Sequence, residues 1–127
     1  MATITSSNPT AVRAPTGYTH GLLLQGVERR LIVSGQVGVA PDGSVPSTGE
    51  GQIAQAFANL RAVLEDAGTG LHRVVKVTCF VADADAFSKL NELFTEFFPG
   101  SPPVRSTPVV ALPKGLLFSI DAIAAVD

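Results

Sequence analysis

The chain has 127 residues, of which 46% are hydrophobic and 16% are charged. This length suits one compact domain over residues 1–127, and an apolar balance this high in so small a protein predicts self-association. The net charge of −2, with the basic residues scattered, gives no electrostatic reason to expect nucleic acid as a partner.

The first half of the chain predicts an arm, a hairpin and a helix. Residues 1–17 are polar and interrupted by proline and glycine, which is typical of an arm. Residues 22–25 and 30–34 are apolar runs on either side of a turn-like segment, and they predict a hairpin. A helix that ends at Gly68 follows, since apolar residues recur along one helical face: Ile53, Phe57, Leu60, Leu64 and Ala67.

The second half predicts a strand, a helix and two further strands. Residues 74–81 are β-branched and alternate, and Asp83 or Asp85 can cap the helix that follows. The apolar stripe of that helix consists of Phe87, Leu90, Phe94, Phe97 and Phe98. With strands at 104–111 and 116–126, the order ββαβαββ predicts an α+β fold, a mixed sheet with two helices on one face.

One arginine and one carboxylate stand inside the last two apolar runs. Charges are rarely buried in such runs unless they are paired or meet a charged ligand. A turn at 112–115 predicts that the runs form a hairpin, and an ideal hairpin puts Arg105 directly across from Asp121, although a bulge would shift this register. A guanidinium fork beside a carboxylate suits a small substrate with its own carboxylate, and a structural ion pair is the alternative.

Two segments near the C-terminus carry a recognisable pattern: Pro-Val-Arg-Ser-Thr at 103–107 and Ile-Asp-Ala-Ile-Ala at 120–124. They resemble the signature of the RidA/YjgF family of enamine/imine deaminases, some of which carry the older label of L-PSP endoribonuclease. The resemblance covers nearly the whole chain, continuing in the right order through residues 17–18, 32–37, 75–81 and 87–98. It implies a chorismate-mutase-like fold and a homotrimer with clefts between subunits, to which a neighbouring subunit could supply Tyr18 and Asn91.

The resemblance implies a role for three residues near the C-terminus. Arg105 holds the carboxylate of an imino or enamino acid, for which a bidentate fork is suited. Asp121 stands where the family usually has the glutamate that positions or activates the attacking water; the alternative is a polar residue on an open face. The interval from Arg105 to Asp121 is also one residue shorter than in well-known members. Thr107 occupies a position that is often cysteine, so a thiolate mechanism is excluded there, whereas its hydroxyl or backbone N–H can bind a substrate oxygen.

Four more residues match positions that line the pocket in this family. They are Tyr18, Ser34, Gly35 and Asn91. Each also has an ordinary structural interpretation. The tyrosine could pack the N-terminal arm, the Ser-Gly pair could mark the end of a strand, and the asparagine could be a helix-surface amide.

Signals for metals, cofactors and targeting are absent from the sequence. His20 and His72 lie far apart, without a cysteine or acidic residue at ligand spacing, so no metal site is expected and no cofactor is indicated. Cys79, the single cysteine, fits the core of its strand and a reducing compartment. The N-terminus lacks the features of a secretory signal, and no apolar run approaches the roughly 18 residues of a membrane span. The sequence therefore predicts a cytoplasmic protein.

Together with the resemblance, these residues predict a hydrolase that converts small 2-imino or 2-enamino acids to 2-keto acids and ammonia. The expected partners are a carboxylate-bearing substrate and further copies of the chain, without nucleic acid or membrane. A non-catalytic binder of small carboxylate metabolites is one alternative, favoured by the departures at Asp121 and Thr107. A different hydrolase or a ribonuclease-type activity is the other, and the absence of a basic, aromatic-rich patch counts against RNA.

Overall fold

The computed structural model describes residues 2–127, apart from the side chain of Phe87, so the predicted place of that side chain in an apolar stripe lies outside the described residues. Within this range, six strands and two α-helices follow one another. Their bounds are β1 Thr3–Ser7, β2 Gly21–Gln25, β3 Arg29–Val37, α1 Gly49–Asp66, β4 Val74–Val81, α2 Phe87–Phe97, β5 Val104–Ser106 and β6 Phe118–Val126. No helix in residues 2–127 is both long and apolar enough to cross a membrane.

Four of the strands form a mixed sheet in the order β3-β6-β4-β5. Strand β6 runs antiparallel to both β3 and β4, whereas β5 runs parallel to β4. Strands β1 and β2 pair with each other in a separate antiparallel ribbon. The mixed sheet and the two helices confirm the predicted α+β class.

Helix α1 begins where the sequence supplies a cap. The backbone N–H of Gly51 donates a 3.0 Å hydrogen bond to Thr48 Oγ1, which satisfies one of the free donors of the first turn. The helix ends at Asp66, just before Gly68, whose φ of +83° lies in the left-handed region that glycine adopts easily. The buried side chains of α1 include four on the predicted face: Ile53, Phe57, Leu60 and Leu64.

The N-terminal region differs from its prediction in two ways. Residues Thr3–Ser7, interpreted from sequence as part of an arm, form β1, because their backbone groups find partners in β2 although most of their side chains are exposed. The hairpin predicted from residues 22–25 and 30–34 is wrong, since β2 pairs with β1 and β3 pairs with β6. Strand β6 offers β3 a long antiparallel partner that a local turn signal does not reveal.

The hairpin predicted for the last two strands is also wrong, because β4 lies between β5 and β6. Strand β5 is short, and Pro108, which has no N–H to donate, follows soon after it. The connecting segment crosses the end of β4 instead. The Val81 N–H donates to the Pro108 carbonyl at 3.1 Å, and the Val110 N–H donates to the Val81 carbonyl at 2.9 Å. Strands β5 and β6 are therefore positioned separately, each by β4.

Gln52 of α1 fastens two loops to the helix. Its side chain is buried, and its Nε2 donates to the Pro46 carbonyl at 3.2 Å and to the Gly115 carbonyl at 3.0 Å. Its Oε1 accepts the Leu117 N–H at 2.8 Å. A Cβ on Gly38 would lie 2.6 Å from the Cα of Gln52, so only glycine fits against this part of the helix. The glutamine thereby fixes the point at which β6 begins.

The core lies between the helices and one face of the four-stranded sheet. Phe57 of α1 is fully buried at its centre, with Phe94, Phe98 and Phe118 around it at ring-centre distances of 5.7 to 6.2 Å. These edge-to-face contacts suit aromatic rings. The opposite face, which we call the open face, includes Ile32, which is 78% exposed.

Candidate functional site

Arg105 points from β5 to the helix-covered face of the sheet. It pairs in register with Val77 of β4, which is fully buried in the core, and paired residues share a face. Its guanidinium carbon lies 4.7 Å from the centre of the Phe94 ring, a cation–π distance. Its Nη2 donates to Asn91 Oδ1 at 2.8 Å. Two residues one turn apart on α2 therefore hold this arginine in place.

One nitrogen of Arg105 has no partner among the described residues. Nη1 is buried and makes no hydrogen bond there. A buried donor without an acceptor is unfavourable, commonly by about 1–3 kcal/mol and by more for charged groups. Burial lowers the pKa of the Arg105 guanidinium, and the nearby Cys79 and Tyr18 oppose that shift, but the group stays ionised. The result is a fixed cation with a spare donor, which can receive a carboxylate oxygen from a ligand.

Tyr18 is placed near Arg105 by contacts within the same chain. The Thr19 N–H donates to the Pro103 carbonyl at 3.2 Å, which joins the segment after Tyr18 to the residues just before β5. The Tyr18 ring also meets His20 edge-to-face, with ring centres 5.3 Å apart. Tyr18 and Asn91 therefore both lie on the Arg105 side of the same chain.

Ser34, Gly35 and Asp121 meet at a bulge between β3 and β6. The pairing register of these strands shifts by one residue just where Ser34 and Gly35 stand together opposite Asp121. A Cβ on Gly35 would lie 2.9 Å from Ser119 Oγ, so a side chain there would displace the serine hydroxyl. The fold therefore also assembles this second group of predicted residues, at a kink in the sheet.

Arg105 and Asp121 lie on opposite faces of the sheet, so their predicted direct pairing is wrong. Val77 pairs with Arg105 on one side and with Ala122 on the other, and all three share the helix-covered face. Asp121 precedes Ala122 in β6 and therefore points to the open face, in register with Thr78. Within one chain, the thickness of the sheet separates the two groups of predicted residues.

Two more residues lie near Arg105. The sequence predicts a site role for Thr107 but not for Phe94. Thr107 follows β5 by one residue and is half-buried, at the start of the connection that crosses β4. The sequence predicts Phe94 only as a core residue, but its ring also lies against the Arg105 guanidinium. The signal that could have found this role is its spacing, three residues from Asn91 on the same helix.

Neither a reactive thiol nor a cluster of metal ligands accompanies these groups. Cys79 is fully buried in β4, as predicted. Burial raises the pKa of its thiol to about 12, with the Arg105 cation opposing this shift and the Asp121 carboxylate adding to it. The thiol is therefore protonated at neutral pH and is a poor nucleophile. In residues 2–127, no three His, Cys, Asp or Glu side chains converge as ligands for a metal ion.

The chain is similar to known proteins in both sequence and structure. Residues 8–126 match a family model described as Endoribonuclease L-PSP. The chain is 38% identical over 123 residues to the 2-iminobutanoate/2-iminopropanoate deaminase of Rattus norvegicus, and the match covers 94% of this chain and 85% of that protein. It is similar to YyfB of Yersinia pestis, a Rid-family protein of unknown function, with a TM-score of 0.88, 27% identity, and coverage of 97% of this chain and 98% of YyfB. It is also similar to E. coli TdcF with bound serine, with a TM-score of 0.72, 29% identity, and coverage of 87% and 88%.

Proposed function

The chain belongs to the endoribonuclease L-PSP family, also called RidA/YjgF, and from this membership we propose that it is an enamine/imine deaminase. Its substrates are small 2-imino and 2-enamino acids. In the imine reaction, water adds to the carbon of the C=N bond, and the resulting carbinolamine releases ammonia to leave a 2-keto acid. The name of the rat relative, a 2-iminobutanoate/2-iminopropanoate deaminase, supports this substrate class.

The observation that carries the proposal is the unpartnered, buried Nη1 of Arg105. Phe94 and Asn91 fix the guanidinium, so its remaining donor is oriented before a ligand arrives. A carboxylate that accepts from Nη1 satisfies that donor and is held by opposite charge. The serine bound to the TdcF relative carries such a carboxylate, which supports this role for Arg105.

The proposed catalytic carboxylate, Asp121, serves a substrate held by a different subunit. Because Asp121 faces away from Arg105 in its own chain, a complete site needs two different surfaces of two copies. Contacts between unlike surfaces close into rings when the rotation permits, and a homotrimer is such a ring. The exposed Ile32 on the open face supports association through this surface.

In this arrangement, each group binds part of the substrate or orients the attacking water. Arg105 holds the carboxylate, with Tyr18 and Asn91 beside it. Asp121 orients the attacking water, near the polar groups of Ser34 and Gly35 in the bulge, and Thr107 offers a hydroxyl or backbone N–H to a substrate oxygen. Imines already hydrolyse in water, so orientation and electrostatic help are enough, and the proposal includes neither a cofactor nor a covalent intermediate.

We also propose that the protein works in the cytoplasm and without nucleic acid. Its buried free cysteine suits a reducing compartment, and its net charge of −2 offers no attraction to phosphates. Subcellular fractionation tests the location. Nuclease-depleted protein incubated with RNA tests the second point, since cleavage that survives this depletion would contradict it.

The deaminase proposal is tested by measuring imine decay and ammonia release. The 2-imino acids are generated by amino-acid oxidases in the reaction mixture. We expect the protein to accelerate both, and Arg105→Ala to abolish most of the acceleration. Unchanged imine decay over a range of substrates would refute the activity. Carboxylate binding without turnover would favour a binding protein instead.

A further inference from the structure

A cavity of about 250 Å³ lies where the C-terminal ends of the two helices meet, and we call it the helix-end cavity. Its lining comes from the last two turns of α1, from residues 71–72 in the short turn before β4, and from the segment 97–101 at the end of α2. None of the candidate-site residues lines it. A ligand in this cavity therefore need not contact Arg105.

Arg61 supplies a positive charge to the helix-end cavity, and an aromatic ring holds it in position. Its guanidinium carbon lies 5.0 Å from the centre of the Phe97 ring, which is a cation–π distance. Phe97 in turn contacts the fully buried ring of Phe57, with ring centres 4.6 Å apart, so the ring beside Arg61 is fixed to the core. The ion pairs of residues 2–127 do not include Arg61. Its guanidinium is therefore available to the carboxylate of a ligand.

Glu65 supplies the opposite charge one helical turn away. Residues four apart on a helix lie on the same side, with Cβ atoms about 5–6 Å apart. Among the described residues, no ion pair joins Arg61 to Glu65, and the order with the cation first is the less favourable one on a helix. Both side chains line the cavity. A ligand that carries an ammonium group beside a carboxylate can therefore pair with both charges at once.

The rest of the lining is largely apolar. Leu71, Phe98 and Pro99 offer an aliphatic group contacts away from water, whereas His72 and Ser101 add polar atoms. At about 30 Å³ each, roughly eight water molecules fit in the cavity, and a ligand of about nine non-hydrogen atoms matches this size. An amino acid with a side chain of about four carbons is such a ligand.

We propose that the helix-end cavity is a second binding site, for a free α-amino acid with an aliphatic side chain. Arg61 pairs with the carboxylate, Glu65 pairs with the ammonium group, and the side chain packs against Leu71 and the phenylalanine rings. A simple carboxylate or a simple amine gains one of these pairs and meets a like charge in place of the other. The inference goes beyond the proposed deaminase function and does not depend on it.

The test is titration calorimetry with leucine and with two analogues that share its side chain. The first analogue is 4-methylpentanoate, which lacks the ammonium group, and the second is 3-methylbutylamine, which lacks the carboxylate. Arg105→Met protein is used, because it removes the charge of the candidate site and keeps an unbranched side chain beside Phe94. We expect leucine to bind about fivefold more tightly than either analogue, the scale of one solvent-exposed ion pair.

Two further substitutions in this protein assign the charges. Glu65→Gln should weaken leucine binding by about fivefold without weakening 4-methylpentanoate, which has no ammonium group to lose its partner. Arg61→Gln should weaken leucine binding by a similar factor without weakening 3-methylbutylamine. Glutamine favours helices, so the fold should tolerate both changes.

The matched controls remove the same charges outside the cavity. Asp66→Asn changes the next position of α1, and Arg30→Gln changes an exposed residue of β3, and neither residue lines the cavity. Both controls should leave leucine affinity within about twofold. Absence of leucine binding, leucine affinity no higher than that of the analogues, or equal losses in the variants and their controls would overturn the second site. Each of these results leaves the deaminase function standing, because turnover is not measured.

Discussion

The guanidinium of Arg105 and the carboxylate of Asp121 face away from each other across the sheet of one chain. Both residues lie on strands that pair with β4, and the alternation of that strand sends their side chains to opposite faces. A water molecule oriented by this aspartate cannot attack a substrate held by the arginine of the same chain. Under the proposed function, a working site therefore joins two chains, and this can be tested.

Subunit mixing should restore activity to inactive variants. We expect the Arg105→Ala and Asp121→Asn proteins each to have little deaminase activity alone. Co-expression under two different tags should give mixed trimers with about one third of the parental sites complete, since a ring of three that contains both variants has one complete interface among three. Deamination by the doubly purified mixture is the measurement. Activity no greater than the sum of the two variants would rule out a shared site.

Arg105→Lys should lower kcat/KM for imine hydrolysis by about a hundredfold while leaving the fold intact. Lysine keeps the charge but loses the planar fork that contacts Asn91 and Phe94 and that, under the proposed function, also binds the substrate carboxylate. Arg61→Lys is the matched control, because Arg61 lies over the Phe97 ring at 5.0 Å, outside the site. Equal losses in the two lysine variants, or full activity in Arg105→Lys, would contradict the role of the arginine.

Asp121→Asn should lower kcat about tenfold to a thousandfold with little change in KM. The amide keeps the shape of the carboxylate but accepts protons poorly, so the loss appears in turnover and not in binding. Steady-state kinetics provide the measurement. Asp66→Asn, at the exposed end of α1, removes an equal charge elsewhere and should behave like the parent. Parental turnover in Asp121→Asn would remove this residue from the proposed mechanism.

Gly38→Ala should destabilise the protein by about 1–3 kcal/mol. The added methyl group would meet the backbone of Gln52 at 2.6 Å, and a helix backbone cannot move aside as a flexible side chain can. Urea denaturation measures the effect. Gly49→Ala is the control, since its methyl group meets Leu117 at an ordinary 3.8 Å and alanine favours helices. Equal stabilities of the two variants would show that the contact is not tight.

Alkaline pH should destabilise the protein partly through Cys79. Its thiol has a pKa of about 12 in the folded protein, against an ordinary value of 9.0. A group with a raised folded pKa holds its proton more tightly when folded, so its contribution is complete below pH 9 and is lost as the pH rises towards 12. The free energy of unfolding should therefore fall over this range more steeply in the parent than in Cys79→Ala. Parallel declines would contradict the prediction.

Local signals in the sequence were enough for the helices and for β4, but not for the strand partners. The apolar spacing of Phe57 and Leu60 defines a helical face, and the alternation of residues 74–81 defines a strand. Which strands pair is decided by distant segments, and β6 is the partner of both β3 and β4. Both predicted hairpins failed for this reason. The sequence does not predict strand β1, because its side chains are mostly exposed and lack an apolar alternation.

In the candidate site, too, the residues could be predicted from the sequence, but their contacts could not. Arg105 and Asn91 could be named from sequence, but their contact depends on how α2 lies over β5. The bulge at Ser34 and Gly35 comes from a register shift against β6, which has no local signature. The predicted pairing of Asp121 with Arg105 depends on a direct hairpin between β5 and β6, and β4 lies between those strands.

The anchoring of β5 and β6 by β4, with Gln52 holding the end of the connection, has an evolutionary consequence. Neither strand takes its register from the surface loop that joins them, so the number of residues in that loop does not set the positions of Arg105 and Asp121. Insertions and deletions between residues 111 and 114, which lie beyond the hydrogen bonds of residues 108–110 to β4 and before those of Gly115 and Leu117 to Gln52, can therefore accumulate among descendants of this protein without moving either side chain. The length of this loop can vary, whereas the register of the two strands that it joins cannot.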